Sequence, residues 1–200
     1  MNGAGVRGGI QGVASRPGFR RCWLLLALLG WLLGTAPVQA GEVVVTHVGT
    51  ELREDLLYAD ADARLELFKA QREALLSGVP LTFAWDFVIV EERDWVWARE
   101  VTHQTIRARI EYHALSELYR VVWLESEESA TYTSLEGALE ALTRLRGLAL
   151  APAEEFHPGR EYRGRARLRL LIDTLPLPMR PRAYFSERWA LTSEWYLWAF

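Results

Sequence analysis

The sequence predicts a mostly β (α+β) fold: an antiparallel β-sandwich-like domain with two short amphipathic helices, preceded by a signal peptide. Three observations carry that prediction. Side chains alternate apolar and polar with period two through most of the chain after residue 40, as in strands with one wet face. Two short segments break the alternation with helical spacing. The first 40 residues have a composition of their own.

Residues 1–21 carry Arg7, Arg16, Arg20 and Arg21 and no acid, residues 22–34 (CWLLLALLGWLLG) are apolar, and APVQA follows, closing with Val38, Gln39 and Ala40. Basic, apolar, then small is the order of a secretory signal, here with cleavage after Ala40. The apolar run is shorter than the roughly 18 to 20 residues that cross a bilayer comfortably, so an uncleaved inner-membrane anchor is the lesser reading. The only cysteine, Cys22, precedes that run. Residues 41–200 are therefore read as one exported β-rich domain, expected in the periplasm, that must be held by its core without disulfides.

The elements follow in order. Val43–His47 reads as a first strand. From Leu57 to Leu67 the chain alternates strictly, with Leu57, Ala59, Ala61, Ala63, Leu65 and Leu67 opposing Tyr58, Asp60, Asp62, Arg64 and Glu66. LFKAQREALLSGVP (67–80) reads as a helix stopped by Gly78. In LTFAWDFVIVEE, Leu81, Phe83, Trp85, Phe87 and Ile89 form one apolar face against a mixed face of Thr82, Ala84, Asp86, Val88 and Val90, which suits a central strand. Ile106–His113 and Leu118–Glu125 read as a hairpin, with a short strand at Thr131–Thr133. SLEGALEALTRLRG (134–147) is the firmer helix, with Ser134 as N-cap and Gly147 as C-cap. Both helices share an EAL core followed by a glycine and then strand material, which raises the question of an internal repeat, the simpler alternative being two ordinary amphipathic helices. Arg163–Ile172 is a strand with Arg163, Arg165, Arg167 and Arg169 on one side and Ala166, Leu168, Leu170 and Ile172 on the other. Residues 152–162 and 173–182 read as proline- and glycine-set loops.

The chain closes with ERWALTSEWYLWAF, and termini fray unless something ties them down. Trp189, Leu191, Trp195 and Leu197 are expected to form the inward face of a last strand, with Tyr196, Trp198 and Phe200 covering a second surface. An aromatic closing strand also fits a small outer-membrane barrel. That rival requires an apolar lipid face in every strand, and the row of four arginines and the two helices argue against it.

Charge narrows the function classes. The segment 1–40 takes four of the 23 basic residues and none of the 26 acidic ones, leaving 19 against 26 and a net charge of −7. Such a balance disfavours nucleic acid, and a membrane partner enters only if the N-terminal segment stays uncleaved. GxSxG, HExxH, a glycine-rich phosphate loop and an acidic calcium loop are all missing. His47, His103, His113 and His157 lack ligand spacing. No catalytic, cofactor-binding or metal residue is assigned, and the domain is read as non-enzymatic, with a periplasmic enzyme as the weaker alternative.

Two features can present a ligand or partner surface. If the strand bearing Arg163, Arg165, Arg167 and Arg169 lies near that bearing Arg107 and Arg109, a positive stripe results that suits a carboxylate or phosphate. The simpler expectation is a solvated face balanced across strands by Glu91, Glu111, Glu125 or Glu127. ERDWVWARE (92–100) puts Trp95 and Trp97 on one side between Arg93 and Arg99, the residue types that dominate binding hot spots. Closing the end of a core is the simpler role for those tryptophans. The candidate surface is thus Trp95, Trp97, Arg93, Arg99, Arg165, Arg167 and Arg169.

REALLSGVPLTF, IEYHALSELYRV, SLEGALEALTRLRG, IDTLPLPMRP and WALTSEWYLW occur in this order along the chain. In order and spacing they resemble a family of exported proteobacterial proteins catalogued as a domain of unknown function, number 4390. The resemblance covers nearly all of residues 41–200. It implies no assigned activity, no defined catalytic residues and no cofactor. Genes of that family often neighbour one for a membrane sensor histidine kinase, which implies an envelope accessory to signalling by association alone.

Overall fold

The computed structural model describes residues 42–92, 98–184, 186 and 189–200. The predicted signal, with its cleavage point, lies outside the described residues. The described residues form two antiparallel sheets. Strands β1 (Glu42–Arg53), β2 (Leu56–Glu66) and β7 (Arg144–Pro152) make a three-stranded sheet in the order β1-β2-β7. Strands β3 (Leu81–Glu91), β4 (Arg99–His113), β5 (Leu118–Trp123), β6 (Ser129–Tyr132), β8 (Tyr162–Leu170) and β9 (Tyr196–Ala199) make a six-stranded sheet in the order β6-β5-β4-β3-β8-β9.

The two predicted helices are the crossings between sheets. Helix α1 (Lys69–Leu76) carries the chain from β2 to β3, and α2 (Leu135–Thr143) carries it from β6 back to β7. At the entry to α1 the side chain of Gln71 accepts the Phe68 N–H at 2.9 Å, and Gly78 ends it at φ +85, a left-handed position that glycine adopts without strain. Ser134 caps α2 as expected, its Oγ accepting the Gly137 N–H at 3.1 Å.

Alternation decides what each strand buries. Val43, Val45 and Val48 of β1 and Leu57, Ala59, Ala61 and Leu65 of β2 turn inward, and they meet Phe83, Trp85, Phe87 and Ile89 of β3 with Ala108, Ile110, Ala166 and Leu168 in one core. β1 packs on β8 and β9, and β7 packs on β4. The larger sheet outruns the smaller, and α2 covers its β5 and β6 end. Trp85 ties sheet to helix, its Nε1 donating to the Leu142 carbonyl at 3.2 Å. β3 is buried along nearly its whole length on both faces, as its sequence predicts for a central strand.

Among the described residues the strand order leaves β1, β7, β6 and β9 as edges, so the two sheets face each other across a core, as expected of a sandwich, and do not close into the rival barrel. Several other expectations are corrected. Helix α2 stops at Thr143, whose Oγ1 turns back onto the Leu139 carbonyl at 2.9 Å. Its continuation pairs with β2, Arg144 opposite Asp62 and Leu145 opposite Ala61. Cross-strand partners override helical propensity there, and Gly147, at φ +62, sits inside β7 where its N–H donates to Asp60 Oδ1 at 2.7 Å. The two EAL segments lead into different sheets, one into the six-stranded and the other into the three-stranded one. Strand β8 ends at Leu170, a 3-10 turn spans Ile172–Thr174, and a five-residue helix α3 (Arg180–Tyr184) occupies part of the expected loop.

The terminus is tied down, with a different parity from the predicted one. Trp189 and Leu191 are buried, whereas Leu197 is 66% exposed. Leu191 and Ser193 hydrogen-bond to the β8 backbone before β9 proper begins at Tyr196. Across β8, Tyr196 sits opposite Ala166 and Trp198 opposite Gly164, while Leu197 sits opposite Arg165. The inward residues of β9 are therefore Tyr196 and Trp198. Gly164 makes room for this, since a Cβ there would fall inside the Trp198 indole. Phe200 ends the chain in an aromatic group, its ring 5.9 Å from Phe156 and 6.0 Å from Tyr162.

Candidate functional site

The arginine rows are brought onto one face. β3 runs between β4 and β8, and residues directly opposite one another share a face of the sheet. Arg169 and Arg107 flank Ala84, Arg167 and Thr105 flank Asp86, and Arg165 and His103 flank Val88. The outer face of the large sheet is thus floored by the small or apolar residues of β3 and walled by arginines on both sides. Ala84 and Val88 are nonetheless buried, because long arginine stems cover apolar surface while their charged heads reach water.

Asp86 organises the centre. Its side chain is 3% exposed, and Arg167 Nε and Arg169 Nε donate to the same Oδ2 at 2.9 and 2.8 Å. Thr105 Oγ1 donates to Oδ1 at 2.9 Å, and Arg169 reaches that oxygen at 3.5 Å. Burial alone would push this carboxyl up, but the hydrogen bonds from Arg169, Arg167 and Thr105 outweigh it and hold the group below the usual carboxylate range. One negative charge therefore serves two guanidinium groups.

The other arginines of this face are mostly matched. Arg107 Nε meets Glu125 at 2.8 Å, Arg109 Nε meets Glu111 at 2.8 Å and Arg163 Nε meets Glu92 at 2.8 Å. Of these, Arg107–Glu125 reaches across from β4 to the residue beyond β5 as expected, whereas Arg109 and Glu111 lie on the same strand and Glu92 takes a place that the sequence reading gave to Glu91 or Glu127. Arg165 is the exception. It is exposed, with no carboxylate partner among the described residues, and its guanidinium carbon lies 5.0 Å from the Trp195 ring. Arg167 lies 4.4 Å from the same ring. Trp195 therefore rests on two cations, a contact favoured by the ring's negative face. Arg167 and Arg169 share Asp86 and Arg165 has no carboxylate partner among the described residues, so among those residues three guanidinium groups stand on one carboxylate beside an aromatic ring.

The second predicted feature is not joined to this one. Arg93, Trp95 and Trp97 lie outside the described residues. Arg99 is committed internally, its Nε donating to Glu91 at 3.0 Å and its other nitrogens lying 3.4 Å from the side chain and carbonyl of Glu155. The Glu91 hydrogen bond, ahead of the pull of Glu155, raises its affinity for its proton. It braces β3 and β4 against the 3-10 turn Ala153–Glu155. Sequence reasoning missed Asp86, Thr105 and Trp195 as members of the site. The available signal was the single acid in the otherwise apolar run FAWDFVIV, since a buried carboxylate requires a partner.

Among the described residues no group of three or more His, Cys, Asp or Glu side chains could hold a metal ion, and no helix is long and apolar enough to cross a membrane. Fold and site together define an antiparallel two-sheet domain with an arginine-lined outer face. The chain belongs to the DUF4390 family, described as a domain of unknown function, whose model matches residues 40–199. No curated protein and no solved structure matches it.

Proposed function

We propose that the chain is an exported, periplasmic and non-enzymatic binding or accessory module of the cell envelope, serving a membrane signalling or other envelope protein. Its contact face is the outer face of the six-stranded sheet at Arg165, Arg167, Arg169 and Trp195, which receives acidic groups of the partner. One observation carries this reading: Arg167 and Arg169 converge on a single buried carboxylate while Arg165 has none among the described residues. Guanidinium groups with free N–H donors bind carboxylates as charge-assisted pairs, and Arg with Trp is the usual pairing of binding hot spots. The non-enzymatic reading draws on the buried acids. Among the described residues these are Asp86 and Glu91, and each is engaged by arginines, which leaves neither poised as a general acid or base.

Calorimetric titration with a glutamate-rich peptide tests the face. Binding is expected to weaken with added salt, as exposed charge pairs do, and to weaken further in Arg165→Gln. Equal affinity in wild type and variant would remove the face from consideration. N-terminal sequencing of the protein recovered from a periplasmic fraction tests export, with Gly41 expected as first residue. Recovery of intact protein from the cytosol would contradict it.

A further inference from the structure

A second site lies between the sheets. The inward positions of β4 run Thr102, Gln104, Ile106, Ala108 and Ile110, opposite Ile89, Phe87, Trp85, Phe83 and Leu81 of β3. Two of these five are polar, and the structure treats them differently. Thr102 Oγ1 donates to the Leu150 carbonyl of β7 at 3.2 Å, which links the two sheets. Gln104 Oε1 is buried and has no hydrogen-bond partner among the described residues. A buried acceptor left unpaired costs about 1–3 kcal/mol, and such a group in a folded protein calls for an explanation.

The space beside it supplies one. Because the six-stranded sheet outruns the three-stranded one, α2 covers β5 and β6, and the chain then leaves α2 at Thr143 to form β7. A crevice of about 540 Å³ remains between β7, the end of α2 and strands β4 and β5, lined by Gln104, Ile106, Trp123, Tyr132, Leu145 and Leu148. That volume falls within the roughly 300–1,000 Å³ of small-molecule sites, which pair apolar and aromatic walls with a few placed polar groups. The cations at its rim are already engaged: Arg144 lies 2.9 Å from Glu140, and Arg146 lies 2.6 Å from Asp62. Glu128, also at the rim, has an exposed side chain with no partner among the described residues.

We propose that this crevice binds a small aromatic molecule bearing an N–H or O–H donor, neutral or cationic but not anionic. Its flat body lies against Trp123, Tyr132 and Leu148, and the Gln104 carboxamide turns toward the crevice to accept its donor. The rim excludes anions, because its arginines are occupied and Glu128 is not neutralised. The site is independent of the arginine face, which selects the opposite charge.

Calorimetric titration of the full-length protein with tryptamine, tryptophol and indole-3-propionate tests the proposal. The first two share an indole body with a donor, and the third replaces the donor with a carboxylate. Saturable binding of tryptamine and tryptophol is expected, with indole-3-propionate at least tenfold weaker. Gln104→Leu keeps the wall and removes the acceptor, and is expected to weaken tryptamine about tenfold, the loss of one hydrogen bond. Leu148→Trp fills the crevice and is expected to abolish binding, with circular dichroism confirming the fold. Should Leu148→Trp fail to fold, Gln104→Leu decides alone. Absence of tryptamine binding, unchanged affinity in Gln104→Leu, or equal binding of the carboxylate would each overturn the proposal.

Discussion

Trp85 and Asp86 are neighbours in β3, almost equally buried at 1% and 2% exposure, and they face opposite ways. On the inner side Trp85 is covered by apolar groups of both sheets and of α2, and its ring stacks near Phe87 at 5.8 Å. On the outer side Asp86 is covered by Arg167 and Arg169 and hydrogen-bonded by Thr105. Burial by apolar contact depends on area and is nearly indifferent to pH and salt. Burial beneath guanidinium groups depends on a charge that protonation removes. The same strand therefore has one face held by apolar contact and one held by charge.

The largest expected effect lies on the inner face. Trp85→Ala is expected to cost about 3–5 kcal/mol, the usual range for truncating a large core aromatic, and to cost the same at pH 3 and pH 7. A loss that varied with pH would show that the two faces are not separable. Urea unfolding at both pH values measures it.

Asp86→Asn comes next. Removing one partner of a buried ion pair costs about 3–5 kcal/mol at neutral pH, and the lower end is expected because Arg167 and Arg169 can swing toward water. The sign follows from the depressed folded-state affinity of this carboxyl for its proton. Its contribution is complete above the unfolded-state value near 3.9 and disappears as pH falls through the lower folded-state value. Wild type should therefore lose stability below about pH 4, and the variant should lack that part of the decline. Parallel acid limbs would contradict the assignment of Asp86 as the centre of the outer face.

Gly164→Val is smaller. The added side chain would meet Trp198, and overpacking of this kind costs about 1–3 kcal/mol. Hydrogen exchange should show β9 released, with exchange rising at Trp198 and Phe200, while the centre of β3 stays protected. Smallest for stability is Arg165→Gln, which has no carboxylate to lose among the described residues. Its melting temperature should fall by no more than about 2–4 °C, the Trp195 contact being worth about 0.5–1 kcal/mol, and its affinity for a glutamate-rich peptide should fall about tenfold, one charge-assisted hydrogen bond's worth. That separation of binding from stability sharpens the contrast between the two faces.

Much of this was legible in the sequence. Strict alternation located β2, β3 and β8 nearly to the residue, because each has an apolar face that can be buried in only one register. It also placed the four arginines of β8 on a common face, and Ser134 and Gly78 marked their helix ends by capping chemistry. The pairing of Asp86 was not legible, since it depends on which strands become neighbours of β3. Arg144 to Pro152 read partly as helix because its leucines suit both periods until β2 supplies partners. Parity counted from Trp189 places Trp195 and Leu197 inward. The chain between Leu191 and Tyr196 is not regular strand, so the count slipped and Trp195 went to the arginines instead of the core. Gln104 precedes Ile106, where the alternation of that strand becomes clear, so its inward place follows only from the pairing with β3.

The central claim is that the outer face of the six-stranded sheet carries an uncompensated positive charge built on Asp86 and open to an acidic partner. Two-dimensional NMR of the labelled domain during titration with a glutamate-rich peptide tests it most directly. The account predicts salt-sensitive shifts of the Trp195 indole N–H and of the amides from Arg165 to Arg169, with the Trp85 indole unmoved. Shifts that leave Trp195 and those amides in place and gather elsewhere on the domain would contradict it.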